Sequence, residues 1–189
     1  MECRSQVLTR RRRPEASQRA SMKTPSPSLN GATESRIVPR RPGRPLTPSF
    51  FGRVLDYNTR QTLEFVNLTD TVEQLVAESG IRDGFALVQS LHSTVGLIVN
   101  EWQDALLDDL RTVLEQTVRA DASWRHNDPR YSDCERSNAT SHLRAAFLGA
   151  SAFLGVRDGR LVRGTWQSII LVELDGPRTR SVSLQVLGG

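Results

Sequence analysis

What most constrains this chain is where its prolines stop. Seven of nine fall within residues 1–49, leaving only Pro129 and Pro177 to interrupt the remainder. Proline lacks a backbone N–H and locks φ, so a segment this dense in it builds neither helix nor sheet, whereas the remainder can form continuous elements. Charge changes at the same border. Residues 1–49 carry 11 basic and 3 acidic side chains, a balance of +8, and residues 50–189 carry 14 and 18, a balance of −4. The overall charge of +4 and the pI near 9.8 therefore describe neither part. A disordered basic tail at 1–49 and a single domain at 50–189 are predicted, the latter long enough to bury roughly two-thirds of its unfolded surface.

Three functional readings of the tail compete with a solvated extension. An organelle transit peptide is Arg- and Ser-rich, but no amphipathic apolar face accompanies these residues. The run Arg10–Arg13 would attract phosphates, yet aromatics for base stacking are missing, so nucleic acid is not an expected partner. A secretory signal fails for want of an apolar core, and Met22 offers an alternative start. No apolar run approaches the ~18 residues of a membrane span, so a soluble protein is expected. The two cysteines, Cys3 in the tail and Cys134 in the domain, exclude an intradomain disulfide and a cysteine zinc cluster. A reducing compartment, the cytoplasm, fits that usage. Lys23 is the one lysine among 25 basic residues, which points to codon bias rather than to a binding role.

The domain opens with strand-like segments at Arg53–Tyr57 and Gln61–Leu68, which read as a hairpin turning at Asn58–Arg60. Asp70 with Glu73 makes an acidic capping box for a helix over 70–79, and Gly80 stops it. Segments 84–91 and 95–100 are apolar nearly throughout, as suits strands covered on both faces. From Trp102 to Val118 apolar residues recur at three and four, predicting the main helix with Asn100 as its N-cap. Residues 119–138 form a polar loop of a length more often functional than idle. A short helix over 140–148 ends at Gly149, an Asp158–Gly159 turn joins two strands, and strands over 167–174 and 180–187 close the chain. The expected class is α+β.

His92, His126 and His142, the chain's three histidines, fall at strand ends, loops or helix starts. Imidazole is a common metal ligand and titrates near neutrality, so the three could share a zinc or other divalent ion, or serve as acid and base. Their spacing matches no local zinc motif, and three independent histidines is the plainer alternative. Glu101 could bind a metal, orient a histidine or cap the helix; Asp104 and Asp109 lie on its polar face and could be merely solvated. In Gly164-Thr-Trp-Gln167 the glycine suggests a bulge, Trp166 would need an indole partner if buried, and Gln167 is least explained by packing. Arg178 and Arg180 could clamp a phosphate or carboxylate, or form ordinary surface pairs.

Several strings occur in order: Ser79-Gly-Ile-Arg-Asp-Gly84, His92-Ser-Thr94 followed by Asn100-Glu101, Asp109-Leu110, His126, Asn138 with Ser141-His142-Leu143, Leu148-Gly-Ala-Ser151, Gly159-Arg-Leu161, Gly164-Thr-Trp-Gln167 and Glu173-Leu-Asp-Gly-Pro-Arg178. Together, from about Phe50 to Gly189, they resemble the YjbQ family, also described as the secondary thiamine-phosphate synthase family. The resemblance implies packed antiparallel, sandwich-like sheets with a few helices, a homotrimer, and a weak or secondary activity joining an aminopyrimidine diphosphate to a thiazole phosphate. It implies a catalytic set of His92, Glu101, Asp109, His126, His142 and Gln167, with Asn100, Ser141, Thr165, Arg178 and Arg180 binding a small phosphorylated metabolite. The histidines would bind a divalent metal, zinc or magnesium, or shuttle protons. Val95-Gly96 departs from the small residues usual after the His-Ser-Thr string, a change expected to alter packing more than chemistry. A metal-dependent hydrolase or a metabolite-binding protein using the same site is the alternative.

Overall fold

The computed structural model describes residues 47–189; the expectations for the basic segment's disorder, for Arg10–Arg13 and for Met22 lie outside the described residues. The chain runs β1 (Ser49–Asn58), β2 (Glu64–Asn67), α1 (Thr69–Glu78), β3 (Gly84–Ser90), β4 (Val95–Glu101), α2 (Asp104–Thr117), α3 (Ala139–Leu148), β5 (Ser151–Arg157), β6 (Arg160–Val162), β7 (Gln167–Glu173) and β8 (Thr179–Gly188). The strands form two antiparallel sheets, one of five in the order β1-β8-β3-β5-β6 and one of three in the order β2-β7-β4.

β7 shows how the layers stack. Its Ile169 and Leu171 join the core between the two sheets, with Val88, Leu97, Leu154 and Leu184. Its Ile170 and Val172 point the other way and pack with Leu107 and Leu114 of α2 and Ala145 of α3. A strand apolar at four consecutive positions thus runs through the middle layer of three, and all four of these side chains are fully buried. Each contributes roughly 1.5–3 kcal/mol by leaving water.

The expected opening hairpin does not form. β1 pairs with β8 along its whole length, from Ser49 opposite Gly188 to Asn58 opposite Thr179, while β2 pairs with β7 in the other sheet. Thr59 makes the transfer, its N–H donating to Arg178 O and its hydroxyl to Glu173. A turn between sheets has the same local chemistry as a turn within one. Coverage on both faces holds for the start of β4 and fails for β3, whose Ala86 and Val88 are buried while Phe85 faces outward.

Both predicted helix starts are corrected. Asn67 Oδ1 accepts from Thr69 N at the head of α1, and Glu73 receives Arg163 Nε instead of closing a capping box. Gln103, not Asn100, caps α2, its Oε1 accepting from Leu106 N at 2.7 Å, so Asn100 stays in β4 and Trp102 lies outside the helix. The buried stripe accordingly runs through Leu107, Leu114 and Val118, and Val113 is exposed. The stops behave as expected: Gly80 and Gly149 have positive φ, as do Asp158 and Gly159 in the β5–β6 turn.

Gly96 explains its own departure from the family pattern. A Cβ there would lie 2.7 Å from Leu148 Cβ, at the end of α3. Gly96→Ala is therefore expected to destabilise the domain by about 1–3 kcal/mol through overpacking, as measured by urea denaturation.

Candidate functional site

The register of the three-stranded sheet decides where the candidate residues go. Val95 sits opposite Glu173 and Glu101 opposite Gln167, so these two rows are six residue steps, about 20 Å, apart. His92 precedes β4 and Asp175 and Arg178 follow β7, so they belong to the first row's end. Asn100, Glu101, Thr165 and Gln167 belong to the other.

At the first end the centre is a buried ion pair. Glu173, fully buried, accepts from Arg180 Nε at 2.6 Å and from Arg180 Nη2 at 2.5 Å, and Arg180 Nη2 also donates to Thr94. Thr59 Oγ1 and the N–H groups of Leu174 and Asp175 complete the carboxylate's partners. Burial alone would raise this carboxyl, but Arg180, the Asp175 N–H and Thr59 outweigh it and hold the group below its ordinary value. Arg180, expected to bind substrate, is only 3% exposed and spends its donors on this network.

His92 is anchored beside that pair. Its Nε2 accepts from the Ser181 N–H at 2.8 Å. A neutral imidazole whose Nε2 accepts carries its proton on Nδ1, so the ring offers a donor. Burial pushes its pKa down, nearby Arg180 adds to this, and Glu173 and Asp56 oppose it. A metal at Nε2 would have to break the bond to Ser181.

His126 and His142 form a separate pair, their rings edge to face with centroids 5.0 Å apart. The long polar loop folds over α3 to achieve this. Its 3₁₀ turn at Arg125–Asn127 presents His126, and Asn127 Oδ1 accepts from Ala139 N at the head of α3. Ser141 ties α3 to the end of β7 by donating to Leu174 O at 2.6 Å. Ser141 is thus a buried anchor. Burial lowers the His142 pKa, His126 adds to the effect, and Asp175 opposes it. Asp175 Oδ2 receives Asn138 Nδ2 at 3.0 Å and lies 3.3 Å from Arg178 Nη2 and 3.6 Å from Arg136 Nη2. Arg136 and Asp175 were not singled out individually from sequence. Their only signal was position, Arg136 beside Asn138 in the long loop and Asp175 inside the last quoted string.

At the other end, Gln167 closes a turn with Gly164, its Oε1 accepting from Gly164 N at 2.7 Å. Thr165 and Glu101 are exposed, and Trp166 is 74% exposed rather than buried. Asn100 Oδ1 accepts from the Glu101 N–H. Asp109 is exposed on α2. Among the described residues no group of three or more His, Cys, Asp or Glu side chains is placed to hold a metal ion. The predicted three-histidine metal set is therefore not assembled within one chain, because His92 is held on β8 and the other two on α3 and the loop.

A family model described as UPF0047 protein YjbQ-like matches residues 53–189. A UPF0047 protein of Methanothermobacter thermautotrophicus is 42% identical over 134 residues, covering 71% of this chain and 90% of that one. The UPF0047 protein YugU of Bacillus subtilis is 32% identical over 136 residues, 72% of this chain and 98% of its own. The crystal structure of a Sulfolobus solfataricus protein, described as YbjQ-like and of unknown function, is similar with a TM-score of 0.70 at 40% identity, covering 75% of this chain and 99% of that one. A Clostridium acetobutylicum protein of the yjbq/upf0047 family gives 0.64 at 28% identity, covering 71% and 98%. From within its first strand to its last residue, this chain belongs to the YjbQ-like UPF0047 family.

Proposed function

We propose that the Asp175 end binds a small phosphorylated metabolite and that the chain has a thiamine-phosphate synthase type activity there, joining an aminopyrimidine diphosphate to a thiazole phosphate. The observation that carries this reading is the grouping of Arg136 and Arg178 around one carboxylate, close to a pair of imidazoles. One aspartate does not neutralise two guanidinium groups, so a phosphoryl anion gains from binding them. In the reaction the bond from the pyrimidine's methylene carbon to the diphosphate oxygen breaks, the thiazole nitrogen bonds that carbon, and pyrophosphate leaves. The protein's task is to stabilise charge developing on the departing oxygens, which Arg136 and Arg178 would do, while His126 and His142 exchange protons with them.

The purified full-length protein is expected to form thiamine phosphate from the two phosphates above a protein-free background. Arg136→Ala and Arg178→Ala are expected each to raise KM about tenfold, the loss of one charge-assisted hydrogen bond. No product from the intact protein, together with hydrolysis of another phosphate ester, would move the function to the hydrolase alternative.

The homotrimer belongs to the same proposal. It is supported by the outer face of the five-stranded sheet, where Phe50, Leu187 and Phe85 lie in one row and Phe153 stacks on Phe85 with centroids 5.1 Å apart, all four exposed. Contiguous apolar patches of this kind mark interaction surfaces. No described helix is long and apolar enough to cross a membrane, and we place the protein in the cytoplasm.

A further inference from the structure

We infer that the cleft between α2 and α3 takes the hydrocarbon chain of a medium-chain carboxylic acid, with Arg111 holding the carboxylate at its rim. The cleft has a volume of about 210 Å³. Phe65, Ile98 and Val172, one from each strand of the three-stranded sheet, line it together with Leu110 of α2 and Leu148 of α3. Its lining residues are apolar save Thr117. Two more of them, Val113 and Phe147, stay wet, 55% and 70% exposed. Apolar walls left in this state forgo dispersion contacts and hold water that an apolar occupant would release, so entry of a hydrocarbon is favourable. The cleft belongs to the helical layer and not to the outer face of the five-stranded sheet, so it is independent of the assembly proposed above.

Size sets the occupant. Scaled on a ~150 Å³ apolar cavity that holds the six carbons of benzene, this volume accepts about eight carbons. That equals about two leucine-sized side chains, fewer than the row of anchors that a partner helix lays into a groove. It also falls below the ~300 Å³ at which pockets for whole ligands begin, so the cleft receives a tail while the head stays at the surface.

The chemistry of the rim sets the head. The Arg111 guanidinium lies 5.7 Å from the centre of the Phe65 ring, and Phe65 lines the cleft. Its Nη1 donates to Leu63 O at 3.0 Å, which fixes the group and leaves the edge formed by Nε and Nη2 without an acceptor among the described residues. That edge is the one with which arginine grips a carboxylate through two parallel hydrogen bonds. In Arg119, Arg130 and Arg180 the same edge is filled, by Asp121, Asp128 and Glu173. Among the described residues Arg111 makes no ion pair, although Asp108 and Glu115 lie one turn away on either side of it in α2. A half-buried guanidinium with its fork open, set beside an apolar cleft, is complementary to an anion that carries a hydrocarbon chain. Arg144 of α3 adds a second positive charge on the side of Thr117, donating from Nη2 to Val118 O at 2.9 Å.

Calorimetric titration of the full-length protein with hexanoate, octanoate and decanoate tests the inference. Each methylene that enters the cleft tightens binding about fourfold, so octanoate is expected to bind about fifteenfold more tightly than hexanoate. Decanoate is expected to gain much less over octanoate, because the cleft is then full. Octylammonium, the same chain with the opposite charge, is expected to bind about tenfold or more weakly than octanoate. Arg111→Gln is expected to lower octanoate affinity about tenfold and to leave octanol binding unchanged, which separates recognition of the head from loss of structure. Val113→Asp, at an exposed position, is expected to weaken octanoate and octanol alike. The inference is overturned by no octanoate binding at millimolar concentration, by equal binding of octanoate and octylammonium, or by unchanged octanoate affinity in Arg111→Gln. A fall in oligomeric mass of the Val113→Asp protein in light scattering also overturns it, since another copy would then cover the cleft. These measurements read binding and not turnover, so an absence of synthase activity would sink the functional reading above and leave this result standing.

Discussion

Arg180→Leu is expected to destabilise the domain by about 3–5 kcal/mol, enough to threaten folding at growth temperature, because it leaves the Glu173 carboxylate buried without its counterion. Arg180 sits on β8 in one sheet and Glu173 on β7 in the other, so their two short hydrogen bonds tie the layers together at the end where the candidate site lies. Replacing Glu173 alone by Leu should cost a similar amount, since the guanidinium is then stranded. The double replacement should cost much less than the sum, since neither charge is then stranded. Urea denaturation of the four proteins checks this, and a loss under 1 kcal/mol for Arg180→Leu would show that water reaches the pair. The acid dependence follows from the same geometry. Glu173 is held below its ordinary value on folding, so its contribution is complete above the unfolded pKa of about 4.3 and disappears as pH falls through the lower folded value. Glu173→Gln should remove that part of the acid sensitivity.

The largest expected effect on activity is from His142→Ala, with kcat for thiamine phosphate formation falling by about 10²–10⁴-fold. Alanine is the best helix former, and position 142 lies within α3, so circular dichroism should be unchanged and the loss should be one of chemistry. In the proposed reaction His142 exchanges the proton, and burial lowers its pKa with His126 adding to the effect. Activity that needs the neutral ring should therefore persist below the ordinary imidazole value of about 6.5. His126→Ala should shift that acidic limb upward, because it removes the neighbouring ring. A wild-type profile that falls at an unperturbed histidine value, or a His142→Ala protein with full kcat, would remove the pair from the mechanism.

Stability should follow the histidines with the same sign. His92 and His142 both bind protons less readily folded than unfolded. Their contribution is complete above about 6.5 and declines as pH falls toward their lower folded values.

Much of the chain was legible locally. Gly80, Gly149 and the Asp158–Gly159 turn announce their positive φ because few other residues tolerate it. The periodicity of α2 located the helix and the buried Leu114 and Val118 but not Leu107, since a start at Asp104 capped by Gln103 turns Leu107 inward and leaves Val113 out. Arg178 and Arg180 show the limit most clearly. They are two residues apart with the same chemistry, yet one lies half-open beside Asp175 and the other is sealed against Glu173. Arg178 lies in the turn before β8, whereas Arg180 falls on the strand's buried row with Val182 and Leu184, and only the layer packed on that row seals it. Trp166 was left open for a related reason, because burial of an indole beside a glycine is decided by the fold, and here Trp166, inside the turn from Gly164 to Gln167, is exposed.

The sequence by itself determined the element types, their stops and the family, because these depend on residues that are neighbours in the chain or on their order. Tertiary structure decided which strands share a sheet, and with that everything about the site. Pairing β4 with β7 placed Glu101 and Gln167 at one end of a rigid ladder and left the histidines at the other. Strand pairing is set by burial across the whole domain, and no local pattern states which residues will end about 20 Å apart.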